Sequence, residues 1–399
     1  CIRVRYFRPV DGKQGARQAM KWVHDLGYGN SGATRGHLIA DYQRVITAGW
    51  QGIHSELVER YHAMSELEKH SPKGAQLRAM MTAATMARDV AQVYSRKCKE
   101  MAVQENSELR QRELYQMAEI LERVPWEPAR TFWEAVQSLW LTHMLVMSDE
   151  NYPGPGVSFG RIDQYLYPLW EKSIAMGMDR EFGKEILKCF WMHANTAYDA
   201  LLRTGGNQGI TAGYGQLITL SGMGVGGKDM TNGLTYAILE VIDEMSPILE
   251  PTPNVRLHRN TPNDLYDEII AMIASSQGSP FLLNFDERSI AGLMLQAKKA
   301  GVEHLINASN VHEYAPVGCL ENTMVGNDRS GTVDANLNLL KAVELALTGG
   351  YDMEPFSDPM TGKTDPNRPW GPETGDPRTF ESWEQFWGAY AIQTLSLIH

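Results

Sequence analysis

A cysteine and a glutamate stand two residues apart in the stretch YAPVGCLE at 314–321. An apolar segment ends at Gly318, which is followed by Cys319 and then, two residues after the cysteine, by Glu321. Because side chains of an extended chain alternate between its two sides, this spacing places the thiol and the carboxylate on one side. Such a pair can transfer hydrogen and protons on one substrate. A cysteine in an apolar strand is also commonly a small buried hydrophobe, so the spacing alone leaves both interpretations open.

Other short patterns give weaker indications of chemistry. The stretch GMGVGG at 222–227 is a literal GxGxxG between a strand-like and a helix-like segment, which is the context of a dinucleotide fingerprint. No second strand ending in an acidic residue follows it, so we interpret it as a strand-to-helix turn. His312-Glu313 lacks the second histidine of an HExxH zinc helix, and Ser330-Gly331 lies in a polar stretch without the flanking strand and helix of a nucleophile elbow. We therefore predict neither a metal site nor acyl transfer.

The four cysteines, at positions 1, 98, 189 and 319, form no CxxC pair and show no spacing typical of zinc or iron–sulfur ligands. They are too sparse for the disulfide framework of a secreted domain, so we expect reduced thiols and a cytoplasmic location. The first residues show neither an initiator methionine nor a signal-peptide pattern, and we expect the chain to begin within a longer gene.

The elements that must position these residues change in type along the chain. Residues 37–123 follow a helical pattern, and residues 131–147 predict a buried helix that is apolar almost all the way round. Helical stretches at 231–245 and 262–276 then alternate with four strand-like runs, at 216–220, 254–258, 281–285 and 315–320. A last helix is expected from about residue 382. Alternating strands and helices predict an α/β protein with a closed or doubly wound sheet.

Composition excludes several classes of partner. The chain has 399 residues, of which 43% are hydrophobic and 21% charged, as in a globular protein. Its 37 basic and 48 acidic residues give a net charge of −11 without a basic run, so we expect no nucleic-acid partner. The most apolar stretch, 132–147, contains Glu134, Gln137 and His143 and is too short for a bilayer span, so we expect no membrane partner.

Several motifs, in the same order, make the chain resemble the glycyl radical enzymes related to pyruvate formate-lyase. The first three are similar to the family patterns G-H-x-x-x-D-Y, R-V-P…P-x-R-T-F-x-E-A and S-x-G-R-x-D-Q-Y, and the rest follow in order up to a G-C-x-E motif. The matching stretches are 36–42 (GHLIADY), 123–135 (RVPWEPARTFWEA), 158–165 (SFGRIDQY), 213–216 (GYGQ), 253–256 (PNVR), 278–284 (GSPFLLN) and 318–321 (GCLE).

The resemblance implies a ten-stranded α/β barrel of two antiparallel halves surrounded by helices, with Cys319 on a loop at its centre. It implies that residues 1–399 form a single domain of this kind, incomplete at both ends. In this family a separate iron–sulfur activase that uses S-adenosylmethionine generates a glycine radical, which takes hydrogen from the cysteine. The resulting thiyl radical attacks a small organic substrate. No bound cofactor is implied, and a homodimer is expected for the complete protein.

The resemblance also implies roles for individual residues. Cys319 is expected to be the catalytic thiol, and Glu321 the neighbouring acid–base group. Residues expected to bind substrate in the same cavity are Gly213, Tyr214, Gln216 and Thr332. The family motif Arg-Val-x-Gly-Tyr/Phe, which carries the radical glycine, occurs nowhere in the sequence. We therefore expect this chain to be a fragment without the glycine radical domain, and inactive by itself.

The residues around the cysteine narrow the choice of family member. Pyruvate formate-lyase uses two adjacent cysteines, and the hydrocarbon-adding succinate synthases lack the carboxylate after the cysteine. Dehydratases and choline or isethionate lyases typically have G-C-V-E-P, whereas Asn322-Thr323 follows Glu321 here. The sequence G-C-L-E at 318–321 more closely resembles the motif of an arylacetate (4-hydroxyphenylacetate-like) decarboxylase, which is therefore favoured. A radical dehydratase or a C–N or C–S lyase acting on a diol, choline-like or hydroxyproline-like substrate stays open. So does an inactive barrel paralogue or scaffold.

Overall fold

The computed structural model describes residues 29–31, 36–150, 156–196, 215–248, 250–275, 281–318, 320–327, 335–353, 356–357, 364–367 and 369–398. These residues belong to two compact units, one within 35–330 and the other drawn from 1–34 and 331–399. Among the residues in these ranges, no helix is both long enough and apolar enough to cross a membrane.

The larger unit starts with the helical region predicted for 37–123. Its helices are α1 (Tyr42–His62), α2 (Glu66–Lys69), α3 (Pro72–Gln104) and α4 (Glu108–Arg123). Pro72 opens α3 at a position where its missing N–H is not needed, and Ser71 caps the helix by accepting the N–H of Gly74. Small buried side chains recur at three- and four-residue steps along α3: Ala84, Ala87, Ala91, Ser95, Cys98 and Ala102. Of these, Ala91, Cys98 and Ala102 pack in one cluster with Leu114, Ala118 and Leu121 of α4.

Four helices follow in the same unit: α5 (Phe132–Asp149), α6 (Ile162–Tyr165), α7 (Tyr167–Ala175) and α8 (Arg180–Thr196). The hydroxyl of Thr131 caps α5 by accepting the N–H of Glu134. Helix α5 buries residues on most of its circumference, and these include polar side chains (Glu134, Ser138, Thr142 and His143) as well as apolar ones. This confirms the buried helix predicted over 131–147.

A three-stranded parallel sheet is formed by β1 (Leu217–Ser221), β2 (Thr252–Leu257) and β3 (Leu282–Phe285), in that order. The crossover helices are α9 (Gly233–Met245) and α10 (Asn263–Ser275). Further parallel bridges join Gly160 to Ile218 and Ser158 to Ile39. The predicted alternation of strands and helices is confirmed, with shifts of a few residues at the element ends.

The sheet is followed by α11 (Asp286–Ala300) and by an antiparallel hairpin of β4 (Tyr314–Val317) and β5 (Glu321–Met324). The stretch 222–227 is a turn between β1 and α9, as interpreted from the sequence. Its Met223 N–H donates to the carboxylate of Asp286 at 2.5 Å, so this turn binds a carboxylate of its own chain.

The main core lies between the sheet and the helices that cover one of its sides. Ile218, Leu220, Val255 and Leu257 of the parallel sheet contribute to it, together with Ala315 and Val317 of β4, and α5, α8, α9 and α10 are among the helices that contribute. Burial of these apolar faces is the main favourable contribution to the fold. The sheet is open in the part of the chain that the structure describes, as expected of an incomplete barrel.

The smaller unit contains a strand pair, Gly29–Ser31 with Ala335–Leu337, in antiparallel register. It also contains the helix Leu339–Leu347, the short pair Phe356–Ser357 with Thr364–Asp365, and the helix Trp383–Ile398. The last of these begins one residue after the position predicted from the sequence. The side-chain amide of Gln393 is buried in this unit and donates to the carbonyl of Pro372 at 2.7 Å.

Candidate active site

The two strands of the β4–β5 hairpin flank position 319, since β4 ends at Val317 and β5 begins at Glu321. Its register pairs Val317 with Glu321, and the N–H of Leu320 donates to the carbonyl of Val317 at 3.2 Å. Among the predicted site residues, Glu321 and Gln216 are described. Cys319, Gly213, Tyr214 and Thr332 lie outside the described residues.

The carboxylate of Glu321 contacts an imidazole from a distant part of the chain. Its Oε1 lies 2.8 Å from Nδ1 of His37, and its Oε2 accepts the N–H of Leu320 at 3.0 Å. The side chains of His37 and Glu321 are only 7% and 14% exposed. A carboxylate and an imidazole at this distance, shielded from water, can share a proton or pass it between them.

His37 is a site residue that the sequence interpretation did not single out. It belongs to the matched motif GHLIADY at 36–42, and this motif is the sequence signal that would have identified it. The backbone around it is fixed on both sides: Gly36 N–H donates to Glu150 Oε2 at 2.6 Å, and Ile39 bridges to Ser158. The imidazole is therefore carried by backbone that is tied to its neighbours.

Three glycines let separate chain segments meet around the imidazole. A Cβ placed on Gly318 would lie 2.2 Å from His37 Nδ1, and Gly318 has a φ of +58°. A Cβ on Gly156 would lie 2.8 Å from His37 Cδ2, and one on Gly215 would lie 2.8 Å from the carbonyl oxygen of Gly318. Since these distances are shorter than any ordinary contact of a Cβ, the packing requires glycine at all three positions.

The segment that adjoins Gly318 is held by a buried carboxylate. Glu250, which is fully buried, accepts the N–H of Gly215 at 2.9 Å and that of Gln216 at 3.1 Å. The hydroxyl of Ser158 donates to the carbonyl of Gly215 at 2.9 Å. These bonds fix the backbone beside the residue that precedes Cys319.

The side chain of Gln216 points toward the helices. Its amide nitrogen donates to the carbonyl of Ala194 at 3.0 Å, and its oxygen accepts from Nε2 of His143 at 3.0 Å. Because Nε2 of His143 donates, Nδ1 accepts, and it does so from the hydroxyl of Tyr42 at 2.7 Å. Burial lowers the pKa of His143 to about 3, so this imidazole is neutral at ordinary pH. A substrate contact by Gln216 stays a prediction.

The start of the hairpin is anchored to the sheet by a buried ion pair. Arg256 and Asp286 are both fully buried, and their side chains bond in a fork, Nε to Oδ1 at 2.8 Å and Nη2 to Oδ2 at 2.9 Å. Arg256 also donates to the carbonyls of His312 and Tyr314, and its guanidinium lies 4.0 Å from the Tyr314 ring centroid. The Tyr314 hydroxyl donates to Asp286 at 2.5 Å. The strand that leads to Cys319 therefore begins at a fixed point.

Among the residues for which the structure gives positions, no group of three or more His, Cys, Asp or Glu could hold a metal ion.

The profile of the pyruvate formate lyase-like family matches residues 16–399. The chain belongs to this family of glycyl radical enzymes. The resemblance stated from the sequence motifs is thereby confirmed.

Curated glycyl radical enzymes with related sequences have several activities. Isethionate sulfite-lyase of Desulfovibrio desulfuricans is 31% identical over 393 residues, which cover 95% of this chain and 42% of that protein. Trans-4-hydroxy-L-proline dehydratase of Clostridioides difficile is 28% identical over 83% of this chain and 39% of its own length. Indoleacetate decarboxylase of Tractidigestivibacter scatoligenes is 32% identical over 61% of this chain and 27% of its own. The chain thus spans less than half the length of these relatives.

Solved structures of glycyl radical enzymes share the fold. A glycyl radical enzyme from Archaeoglobus fulgidus matches with a TM-score of 0.76 and 27% identity, over 98% of this chain and 49% of that one. A Roseburia inulinivorans structure described for 1,2-propanediol dehydration matches with a TM-score of 0.77 and 22% identity, over 95% and 45% of the two chains. The predicted fold class, an incomplete glycyl radical enzyme barrel surrounded by helices, is confirmed.

Proposed function

We propose that this chain carries the thiol and the acid–base pair of a radical lyase that eliminates a leaving group, such as hydroxide or sulfite, from a small hydroxylated substrate. The observation that carries the proposal is the buried contact of 2.8 Å between His37 Nδ1 and Glu321 Oε1. It lies beside Gly318, the residue before Cys319. Isethionate sulfite-lyases and dehydratases among the relatives support the same class of reaction.

The roles of the residues follow from the chemistry of elimination. Once the Cys319 thiyl has taken a hydrogen atom from the substrate carbon that carries a hydroxyl, Glu321 accepts the proton of that hydroxyl, and the leaving group departs from the neighbouring carbon. It departs as sulfite or, with the proton returned from Glu321, as water. The product radical then takes a hydrogen atom back from the Cys319 thiol, which restores the thiyl. His37 holds a proton at Nδ1, within reach of the same carboxylate oxygen. Positioned acid–base groups of this kind contribute about 10²–10⁴-fold to the rate. Substrate contacts are assigned to Gly213, Tyr214, Gln216 and Thr332.

In the family, a glycine radical formed by a separate S-adenosylmethionine-dependent iron–sulfur activase supplies the oxidising equivalent to the cysteine. The residues described here fit that chemistry, because the imidazole and the carboxylate are shielded from water and the segments around them are closely packed. We include in the proposal a cytoplasmic location, an activase partner and a homodimer of the complete protein.

The decisive experiment uses the full-length gene product, activated anaerobically with its activase. Isethionate, propane-1,2-diol and trans-4-hydroxy-L-proline are supplied separately, and released sulfite or dehydrated product is measured beside the glycyl radical signal by electron paramagnetic resonance. We expect turnover of one of these compounds. Cys319→Ala should abolish product while the radical signal remains, because the glycine stores the spin. Cys189→Ala, a change at an exposed cysteine of α8, should alter neither. An activated Cys319→Ala protein that still forms product would refute the assignment of the thiol.

Arylacetate decarboxylation is the second candidate, supported by Leu320 and Asn322 around the cysteine motif and by the similarity to indoleacetate decarboxylase over 251 residues. The same activated protein is incubated with 4-hydroxyphenylacetate or indoleacetate, and released carbon dioxide is measured. Carbon dioxide without sulfite or dehydrated product would replace the elimination proposal by this one. Failure of activation by several family activases would favour the catalytically inactive paralogue.

A further inference from the structure

Two polar side chains lie buried in the middle of the parallel sheet. Thr219 on β1 and Asn254 on β2 are paired in register, and both residues are completely inaccessible to solvent. Three atoms, Thr219 Oγ1 and Asn254 Oδ1 and Nδ2, have no hydrogen-bond partner among the residues that the structure describes. Strand interiors usually carry Val, Ile or Leu at such positions.

The face on which these atoms lie follows from the register. Paired residues of parallel strands project to the same side of the sheet, so Thr219 and Asn254 share a face. Arg256, two residues further along β2, shares it too, and its guanidinium contacts the ring and the carbonyl of Tyr314. Thr219 and Asn254 therefore face the side of the sheet that carries the β4–β5 hairpin. Their neighbours Ile218 and Val255 point the other way, into the main core.

Leaving an amide and a hydroxyl buried without partners is unfavourable, because each loses its hydrogen bonds to water. The groups are uncharged, and together they offer both donors and acceptors. An oxygen that both donates and accepts satisfies them, whereas a metal ion or an anion would leave part of the set unpaired. The chemistry of the pair thus selects a hydroxyl oxygen.

We propose that Asn254 and Thr219 form a binding site for the oxygen of a small hydroxyl-bearing ligand between the sheet and the cysteine hairpin. Water and the hydroxyl of a substrate have this same chemistry. If the bound oxygen belongs to a substrate hydroxyl, the site rests on the proposed function. If the bound oxygen belongs to water, the site does not depend on any activity. Buried waters with about three hydrogen bonds are regular parts of protein interiors.

Crystal structures of the protein, grown without polyols and then soaked in propane-1,2-diol, test the site. Oxygen density within hydrogen-bond distance of Asn254 and Thr219 in both crystals, with unchanged shape, identifies water. Density that becomes that of the diol after soaking identifies a substrate hydroxyl. A direct hydrogen bond between Asn254 and Thr219, with no further oxygen in either crystal, overturns the proposal. These crystallographic outcomes do not depend on turnover, so a failure of the proposed radical lyase activity would not change them.

Thermal unfolding gives an independent test with the near-isosteric change Asn254→Leu. If the site is filled, the variant loses hydrogen bonds to the bound oxygen, and its Tm should fall by roughly 1–4 °C. If the site is unfilled, replacing an unpaired amide by an apolar group should raise Tm, which would overturn the proposal. Asn284→Leu is the matched control on β3, because the Asn284 amide bonds directly to Asn322 at 3.1 Å. It should lower Tm without removing the oxygen at Asn254. Thr219→Val should weaken that oxygen's density while preserving the fold.

Discussion

Neutralising Asp286 should destabilise the protein strongly. Asp286 and Arg256 are both fully buried, and the carboxylate accepts two hydrogen bonds from the guanidinium, at 2.8 and 2.9 Å. Asp286→Asn keeps the size of the side chain but removes its charge. It also turns one acceptor oxygen into an NH₂ group that faces other donors. The guanidinium is then buried with its charge uncompensated.

The magnitude follows from the burial of the pair. Breaking a buried ion pair by removing one partner costs about 3–5 kcal/mol, since the remaining charge cannot regain its hydration. The same carboxylate accepts from the N–H of Met223 and the hydroxyl of Tyr314, and an unsatisfied buried donor costs roughly 1–3 kcal/mol by itself. Single-domain proteins are stable by only about 5–15 kcal/mol, so we expect the loss to be a large part of the total.

Urea denaturation followed by circular dichroism measures this effect. The matched control is Glu56→Gln, which removes the charge from the Arg44–Glu56 pair on α1, where the side chains are 45% and 47% exposed. Exposed pairs contribute about 0–1 kcal/mol, so the control should unfold close to the wild type. If Asp286→Asn unfolds at the same urea concentration as Glu56→Gln, the assignment of a buried, uncompensated Arg256 is refuted.

Three further changes give distinct expectations. Gly318→Ala should destabilise the protein, because its Cβ would lie 2.2 Å from His37 Nδ1. Gly226→Ala is the control, since its Cβ would have no atom within 4 Å and the variant would carry only the backbone strain of a φ of +73°. Equal unfolding midpoints of the two variants would contradict the close packing at Gly318. Because burial lowers the pKa of His143 to about 3, below the 6.5 of a free histidine, its contribution to stability is complete above pH 6.5 and is lost as the pH falls toward 3. The loss of unfolding free energy amounts to about 2–3 kcal/mol by pH 4.5. The unfolding free energies of wild type and His143→Gln, measured by urea titration, should therefore converge as the pH falls. A parallel decline of the two would contradict this expectation. Glu321→Gln in the activated full-length protein should keep the radical signal and lose about 10²–10⁴-fold in turnover. The variant should still exchange substrate hydrogen with solvent deuterium through the thiol. Undiminished turnover would remove Glu321 from the acid–base role.

The sequence by itself determined the elements and their order. Helix α5 and strands β1 to β4 lie within a few residues of their predicted positions, and helices α1 to α4 lie within the helical region predicted for 37–123. Apolar periodicity and the placement of Gly and Pro are local properties, which is why the sequence indicates them. The turn at 222–227 was also identified from its neighbours in the chain. The two-residue spacing of Cys319 and Glu321 belongs to the same class of local information.

Only the tertiary structure decided which distant groups meet. His37 and Glu321 are 284 residues apart in the chain, and no periodicity relates them. Their contact depends on the parallel bridges that place the GHLIADY segment in the sheet, and on the absence of a Cβ at Gly318. The pairing of Arg256 with Asp286 and the unpaired buried face of Asn254 depend likewise on strand register. Register is set by how whole elements pack, which local residue patterns do not encode.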